Sequence, residues 1–409
     1  MYIVFYSGNK LITKHLENNI DTDEIPIDCS LYKNNSIKIN GQTITKITEI
    51  GKNLLNKVNL IEIYFDYHSI KKHIKKFINL NVIVFHLINK IKPKFYHKDV
   101  DSIVELRFIN CNYVFVPKPK YLNNLTELYL DNTKKIDLLN DIQNITRLTV
   151  LNIDIRIIKD FYNMIKITHL TVNDPTINFR EFTKLKSLTI NNTIRDYLVL
   201  PSSLTYLNLM FLNNTKNIIY LKDIKIMYLT LNLINEKNIP NLLFINKLTK
   251  IKFLTLCNSN YEYLLNFIDA FNKIKSITLK NCPNINFNFY SRKLIELKIY
   301  NVFTFDLNSI QHLDKLISLT FHDVCEINEL YLLSNLKITT LKFINCDDVY
   351  YDDLFDNVNL EILIIKNRNP VSIRNIEKFK HLKILMCDNL DKLTLKSIKK
   401  MDKNFILVS

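Results

Sequence analysis

Leu125-Thr126-Glu127-Leu128-Tyr129-Leu130-Asp131-Asn132 decides the fold. Two leucines stand three apart and a third follows two places later. Residues two apart share one face of a β-strand, so Leu128 and Leu130 point the same way and the residues beside them point the other. The same spacing returns at Ile145, Leu148 and Val150, and at Leu185, Leu188 and Ile190. The full set of first apolar positions is Leu60, Leu80, Ile103, Leu125, Ile145, Ile167, Leu185, Leu204, Ile226, Ile251, Ile274, Leu294, Leu316, Ile338, Leu360 and Leu382, in steps of 18 to 25 residues. The last four steps are 22 each.

A unit of about 22 residues cannot bury an apolar face alone. Stacked units can, because each strand pairs in parallel with the next and the aliphatic residues form continuous ladders. The remaining 14 or so residues of each unit must return along the other side. Asn140–Asn144 and Tyr261–Lys273 are long enough for a helical turn or a short helix. The period thus predicts an α/β solenoid with a parallel sheet on one face and short helices or irregular turns on the other.

The place-by-place pattern resembles the leucine-rich-repeat family over roughly four-fifths of the chain. Asn110-Cys111, Asn281-Cys282 and Asn345-Cys346 fall eight and nine places into their units. They are similar to the cysteine-containing subtype found in F-box-associated repeat proteins, and Lys280-Asn281-Cys282-Pro283-Asn284-Ile285 is the best match. Leu200-Pro201-Ser202-Ser203-Leu204-Thr205-Tyr206-Leu207 resembles one FNIP-type repeat. The resemblance implies a curved horseshoe with its sheet on the concave face.

The eighth place is Asn in ten units, at Asn110, Asn132, Asn152, Asn192, Asn258, Asn281, Asn301, Asn345, Asn367 and Asn389, and Asp at Asp174 and Asp323. Asn and Asp tolerate left-handed backbone angles and bond nearby backbone groups. Stacked at the strand exits, they are expected to turn the chain. Family members carry Asn or Cys one place later. Cys111, Cys282 and Cys346 read as small packed side chains there, and Cys387 as a core strand residue.

The ends are read as caps. Residues 1–55 lack the full repeat but contain a hairpin signal, Asn40-Gly41 between Ser36–Ile39 and Gln42–Ile47. Residues 56–390 form the solenoid. Residues 391–409 close it, with Thr394–Asp402 as a basic helix and Asn404–Val408 as a last strand.

Composition narrows the function. Three glycines in 409 residues leave no room for glycine-rich phosphate loops. Nine histidines occur, none at metal spacing with cysteines or carboxylates; His68 and His73 stand five apart with no helper. Seven cysteines with no Cys-x-x-Cys pair argue against a disulfide framework. Tyr2–Tyr6 is too short and too poorly preceded by basic residues for a signal peptide. No run approaches a membrane span. The expectation is a monomeric cytoplasmic protein, not secreted, without catalytic, metal or cofactor residues. Abundant Asn, Ile and Lys point to an AT-rich genome, such as that of a large DNA virus or a protist; a viral origin would place the chain in a host cytoplasm.

The net charge of +15 makes a polyanion a conceivable partner, with codon bias as a competing source of the lysines. Eight of these lysines share a register: Lys166, Lys184, Lys225, Lys250, Lys273, Lys293, Lys315 and Lys337 each directly precede a first apolar residue. They are expected to line one rim as an anion-binding ladder. The outward strand centres are largely Thr149, Thr171, Thr189, Thr230, Thr255, Thr278 and Thr320, which suit a strand and carry no charge. Tyr206, Tyr228 and Phe253 break that neutrality at one outward place in three successive units, with Met210 beside them. Aromatic anchors are enriched at binding hot spots.

The resulting reading is a non-catalytic scaffold that binds a protein on its sheet face. One alternative, prompted by the cysteine-containing units, is an F-box-like substrate receptor of a ubiquitin ligase, although residues 1–55 show no F-box pattern. Another is a binder of nucleic acid or a comparable polyanion through the basic rim.

Overall fold

Each motif start leads into a strand. The computed structural model describes residues 2–6, 14–15, 37–39, 42–44, 60–64, 80–86, 90–91, 102–116, 124–138, 144–153, 165–173, 178–192, 198–210, 224–232, 248, 250–258, 273–282, 293–346, 349–354, 359–374, 376–399 and 406–408. They fall into two compact units, residues 1–191 and 192–409.

In the first unit, Tyr2–Tyr6, Leu60–Tyr64, Val82–His86, Glu105–Ile109, Glu127–Asp131, Arg147–Leu151, His169–Val172 and Ser187–Ile190 pair side by side in parallel. The register is the one the repeat demands, with Leu128 opposite Leu106 and Leu148. In the second unit, the parallel series runs Tyr206–Met210, Tyr228–Asn232, Phe253–Cys257, Ser276–Lys280, Glu296–Asp306, Ser318–Asn328, Thr340–Ile344, Ile362–Lys366, Ile384–Cys387 and Ile406–Val408.

The three apolar places of each motif form the core. Leu185, Leu188 and Ile190 are fully buried, as are Leu294, Leu297 and Ile299. Each such side chain contributes roughly 1.5–3 kcal/mol relative to exposure. Larger rings fill the wider core of the later repeats, where Phe305, Phe321, Phe343 and Tyr351 follow one another at 5.4, 5.6 and 5.2 Å.

Strand entry is locked by a shared carbonyl. The amides of Thr126 and Glu127 both donate to the Val104 carbonyl, at 2.9 and 3.0 Å. Those of Thr339 and Thr340 do the same to Ile317, at 2.9 and 3.1 Å. One carbonyl has two lone pairs, so each rung closes without an orphan donor.

Strand exit is turned by asparagine. Asn110, Asn132, Asn152, Asn258, Asn281, Asn301 and Asn345, with Asp323, take φ between 45° and 55°. Their amides continue the ladder: Asn110 N–H donates to the Asp131 carbonyl at 2.9 Å, and Asn281 N–H to the Tyr300 carbonyl at 3.0 Å. Their side chains form a second ladder, with Asn281 Nδ2 donating to Asn258 Oδ1 at 2.8 Å and Asn301 Nδ2 to Asn281 Oδ1 at 2.9 Å. One place later, Cys111, Cys282 and Cys346 are fully buried. The Cys282 thiol faces the Leu256 and Lys280 carbonyls at 3.6 and 3.2 Å.

The eighth place does not behave alike in every repeat. Asn192, Asn367 and Asn389 are absent from the positive-φ set. Asn367 turns inward instead, 6% exposed, accepting from Cys346 N–H and donating to the Cys346 carbonyl and to Tyr351 Oη. In the neighbouring repeat Cys346 lies two places beyond the strand Thr340–Ile344, and this amide satisfies both its N–H and its carbonyl.

The return segments that are described are short. Lys90–Ile91, Tyr113–Val116 and Lys135–Leu138 form a small parallel sheet, and single 3-10 turns occur at Phe179–Glu181, Leu307–Ile310 and Leu330–Asn335. Of the expected helical returns, 140–143 and 261–272 lie outside the described residues, as does Asp174.

At the N-terminus, Ile37–Ile39 pairs antiparallel with Gln42–Ile44, the expected hairpin. Tyr2–Tyr6 extends the main sheet beside Leu60–Tyr64, which the sequence pattern did not signal. The C-terminal helix starts two residues earlier than expected, at Lys392–Lys399. The Asp391 carboxylate accepts the Thr394 amide at 2.7 Å and so caps its first turn. Burial pushes the Asp391 carboxyl up, but hydrogen bonds from Thr394 and Ser372 hold it below its usual range. The last strand is Ile406–Val408.

The asparagine turn can be tested directly. Asn281→Ala places a Cβ at φ 51° and removes both side-chain bonds. The left-handed angle alone costs about 1–2 kcal/mol for such a residue. Asn281→Gly loses the bonds but not the backbone freedom. Urea unfolding should rank wild type above glycine and glycine above alanine; an alanine variant as stable as wild type would contradict the turn's role.

Candidate functional site

Two or three residues of each short strand point away from the core, and these outward columns are where the two units differ. In the first unit the columns are charged and paired. Arg107 clamps Glu105 with Nε to Oε1 at 2.6 Å and a second guanidinium nitrogen to Oε2 at 3.1 Å. Arg147 lies 3.8 Å from Glu127 on the next strands. Burial raises the Tyr129 phenol, assisted by Asp131, and burial next to Arg147 lowers the His169 imidazole. The Thr149, Thr171 and Thr189 column is half-buried between them.

In the second unit the outward face opens on aromatics. Tyr206, Tyr228 and Phe253 are direct register partners. The Tyr228 and Phe253 rings are stacked at 4.5 Å and 5°. Tyr206 sits 6.4 Å from Tyr228 at a 34° tilt. Such pairs are worth about 0.5–1.5 kcal/mol beyond their buried area. Tyr228 is still 41% exposed. Met210 ends the same strand, but its side chain lies outside the described residues. Between Tyr206 and Met210, the Oδ1 atom of Asn208 is buried with no hydrogen-bond partner among the described residues. A buried acceptor left unpaired costs about 1–3 kcal/mol, so the strand centre at this point keeps a polar group where its neighbours Thr230 and Thr255 have a hydroxyl.

Beyond the aromatics the face turns polar. Ser276 Oγ donates to Glu296 Oε2 at 2.7 Å and Lys298 Nζ lies 3.0 Å from Glu296 Oε1. Burial works to raise the Glu296 carboxyl, but the Ser276 and Lys298 contacts outweigh it and hold it below its ordinary value. Further on, the face turns apolar again. Ile362 and Ile364 stand opposite Ile384 and Met386, all half-buried. This aliphatic group was invisible in the sequence, where its isoleucines alternate with core residues of the same type.

The eight lysines expected on one rim are all exposed at strand entries. Lys166 Nζ donates to Asn144 Oδ1 at 2.9 Å. The structure adds residues that the motif search passed over. Lys252 and Lys275 emerge on the other side of the buried first apolar residue, so Lys250-Ile251-Lys252 and Lys273-Ile274-Lys275 each present two exposed ammonium groups around an isoleucine at most 1% exposed.

Other candidate chemistry is limited. Among the described residues no group of three or more His, Cys, Asp or Glu is placed to hold a metal ion. His68, His73 and His97 lie outside them. A cavity of about 280 Å³ is lined by Val349, Tyr351, Asp352, Asn367, Pro370 and Arg374. Its polar groups already serve one another: the Arg374 amide donates to Asp352 Oδ1 at 2.7 Å, and Asn367 is engaged with Cys346 and Tyr351.

No protein-family model matches the chain. It is 28% identical over 220 residues to an uncharacterized leucine-rich repeat-containing protein of the Amsacta moorei entomopoxvirus, covering 52% of this chain and 40% of the relative. The chain therefore spans about two-fifths of the length of the curated relative it matches. With the repeated strand, the parallel register and the asparagine exits, the assignment is made. The chain has a leucine-rich-repeat fold. Solved structures similar to it include a leucine-rich-repeat protein of Leptospira interrogans, at 16% identity and TM-score 0.45 over 89% of this chain and 98% of that one. Another is the circular leucine-rich-repeat protein CroV588, at 20% identity and TM-score 0.42 over 83% of this chain and 51% of that one. A viral relative accords with the AT-rich composition.

Within this leucine-rich-repeat face, Glu296 gives a pH signature. Its folded pKa lies below the unfolded value of about 4.3. It therefore adds stability that is fully present above that value and is lost as pH falls through the folded pKa. Glu296→Gln should flatten the loss of stability between pH 6 and pH 3 in urea titrations; identical profiles for both proteins would contradict it.

Proposed function

We propose that this protein is a non-catalytic binding scaffold whose partner docks on the outward sheet face of residues 192–409. The observation that carries the reading is the Tyr206–Tyr228–Phe253 ladder. A large ring on a strand's solvent side has no packing duty to the core, yet three occupy one column and Tyr228 keeps 41% of its surface open. Rings held by stacking on a rigid sheet lose little side-chain entropy on association, which is what a hot-spot anchor requires. Repeat solenoids offer such faces across many strands. The similarity to a leucine-rich repeat-containing viral protein supports a scaffold of this class.

A second reading, binding of a polyanion through the lysine rim, draws on the exposed entry lysines. Such binding falls steeply with salt. The ubiquitin-ligase reading depends on residues 1–55, most of which lie outside the described residues.

The test is a triple substitution, Tyr206→Ala, Tyr228→Ala and Phe253→Ala. Affinity capture from the native cell followed by mass spectrometry should lose the principal protein partner with at least a tenfold drop in recovery. The unfolding midpoint should move only slightly, because the rings lie outside the core. A partner recovered equally by both proteins would remove this face as the docking site.

A further inference from the structure

We propose that the partner segment seated on this face is an acidic, extended stretch of protein chain carrying at least one large apolar residue. Its carboxylates would pair with Lys250, Lys252, Lys273 and Lys275, and its apolar side chain would rest on Tyr228 and Phe253. This rests on the sheet-face reading above and adds the chemistry of the ligand.

The first ground is charge. The strand entries leading to the aromatic and following columns hold Lys225, Lys250, Lys252, Lys273, Lys275 and Lys293, all exposed. No carboxylate occupies the places just before or just after a first apolar residue from Ile226 through Ile338. At Leu360 and Leu382 the pattern ends in a self-satisfied pair, Lys383 Nζ to Glu361 Oε1 at 2.8 Å. Among the described residues, none of the six lysines has an acidic partner within 4.0 Å. Neighbouring parallel strands stand about 4.8 Å apart, so these ammonium groups repel one another mildly and gain from an anion between them.

The second ground is adjacency. Lys252 immediately precedes Phe253, and Phe253 is the register partner of Tyr228. The linear sequence shows no interleaved aromatic and basic motif, but the sheet assembles one across strands. From the Ile226 repeat to the Leu294 repeat there are three strand spacings, roughly 15 Å at about 4.8 Å each. An extended segment of about four or five residues covers that distance at some 3.3 Å per residue.

The third ground separates protein from nucleic acid. Single-stranded nucleic acid is held by stacking bases on ring faces. Tyr228 and Phe253 are already stacked on each other at 4.5 Å, which leaves no room for a base between them.

The experiment is selection of a displayed library of random dodecapeptides on the full chain, at low and at moderate salt. The wild type should enrich peptides that combine Asp or Glu with Phe, Leu or Ile, and their binding should weaken at least tenfold as salt rises. The quadruple variant Lys250→Glu, Lys252→Glu, Lys273→Glu and Lys275→Glu should switch selection toward Lys- and Arg-containing peptides. The milder pair Lys252→Glu and Lys275→Glu should weaken the wild-type peptides at least fivefold, which guards against misfolding of the quadruple variant. A twenty-residue oligo-dT probe should bind, if at all, with equal strength to wild type and to Tyr228→Ala/Phe253→Ala. Neutral or basic peptides selected by the wild type, no selected peptides, or oligo-dT binding that falls tenfold on loss of the rings would each overturn the proposal. A native partner lost from the aromatic variant but kept by the lysine variants would preserve the sheet-face reading and sink the acidic segment.

Discussion

Everything else in this protein depends on a backbone constraint: each short strand must surrender both of its hydrogen-bonding edges to neighbouring repeats. A strand of four or five residues has too few groups to be stable alone. Its entry is closed by one carbonyl taking two amides, as Val104 does for Thr126 and Glu127. Its exit is closed by an asparagine at positive φ whose amide adds one more rung. Between these two fixed points only the three apolar places remain to be filled. That explains why the motif is strict over six residues and loose elsewhere, with steps from 18 to 25.

The same constraint decides where function can reside. The inward places are occupied by the core and the exits by the Asn ladder, in which Asn281 donates to Asn258 and accepts from Asn301. What is left is the outward face and the strand entries. On the outward face of the first unit, Arg107 and Arg147 are satisfied by Glu105 and Glu127. In the second unit, Glu296 is satisfied by Ser276 and Lys298. Among the described residues the aromatic column has no such ion pair, and its rings pack against one another.

How much could be read in advance follows from which forces are periodic. The strand positions were legible because burial repeats with the chain's own spacing, and so was the outward alignment of Tyr206, Tyr228 and Phe253. Left-handed exits were legible because Asn is chemically marked for them. The inward turn of Asn367 was not, since it answers to a neighbour's backbone at Cys346 and a ring at Tyr351, 21 and 16 residues away. Neither was the strand at Tyr2–Tyr6, whose partner lies nearly sixty residues on. Ile362, Ile364, Ile384 and Met386 carried no signal for another reason: a hydrophobic residue on the solvent side of a strand looks like core when its neighbours are also hydrophobic.

The lysines bring composition and geometry together. An AT-rich gene would supply many lysines, and that would account for their number. It does not account for their places, because the fold gives a long cation few sites that cost nothing. Core places exclude it and the exits belong to asparagine. Strand entries accept it, since the apolar residue between two lysines dives inward, as Ile251 does between Lys250 and Lys252, and leaves both ammonium groups in water. Entry places repeat every strand, so lysines retained there accumulate into a row without any of them being chosen for a ligand. A row of lysines without acidic partners among the described residues, next to a column of partly exposed rings, is nonetheless a physical surface with a preference, whatever supplied its codons. Whatever sets how many charges there are, the parallel ladder sets where they stand, one strand entry after another.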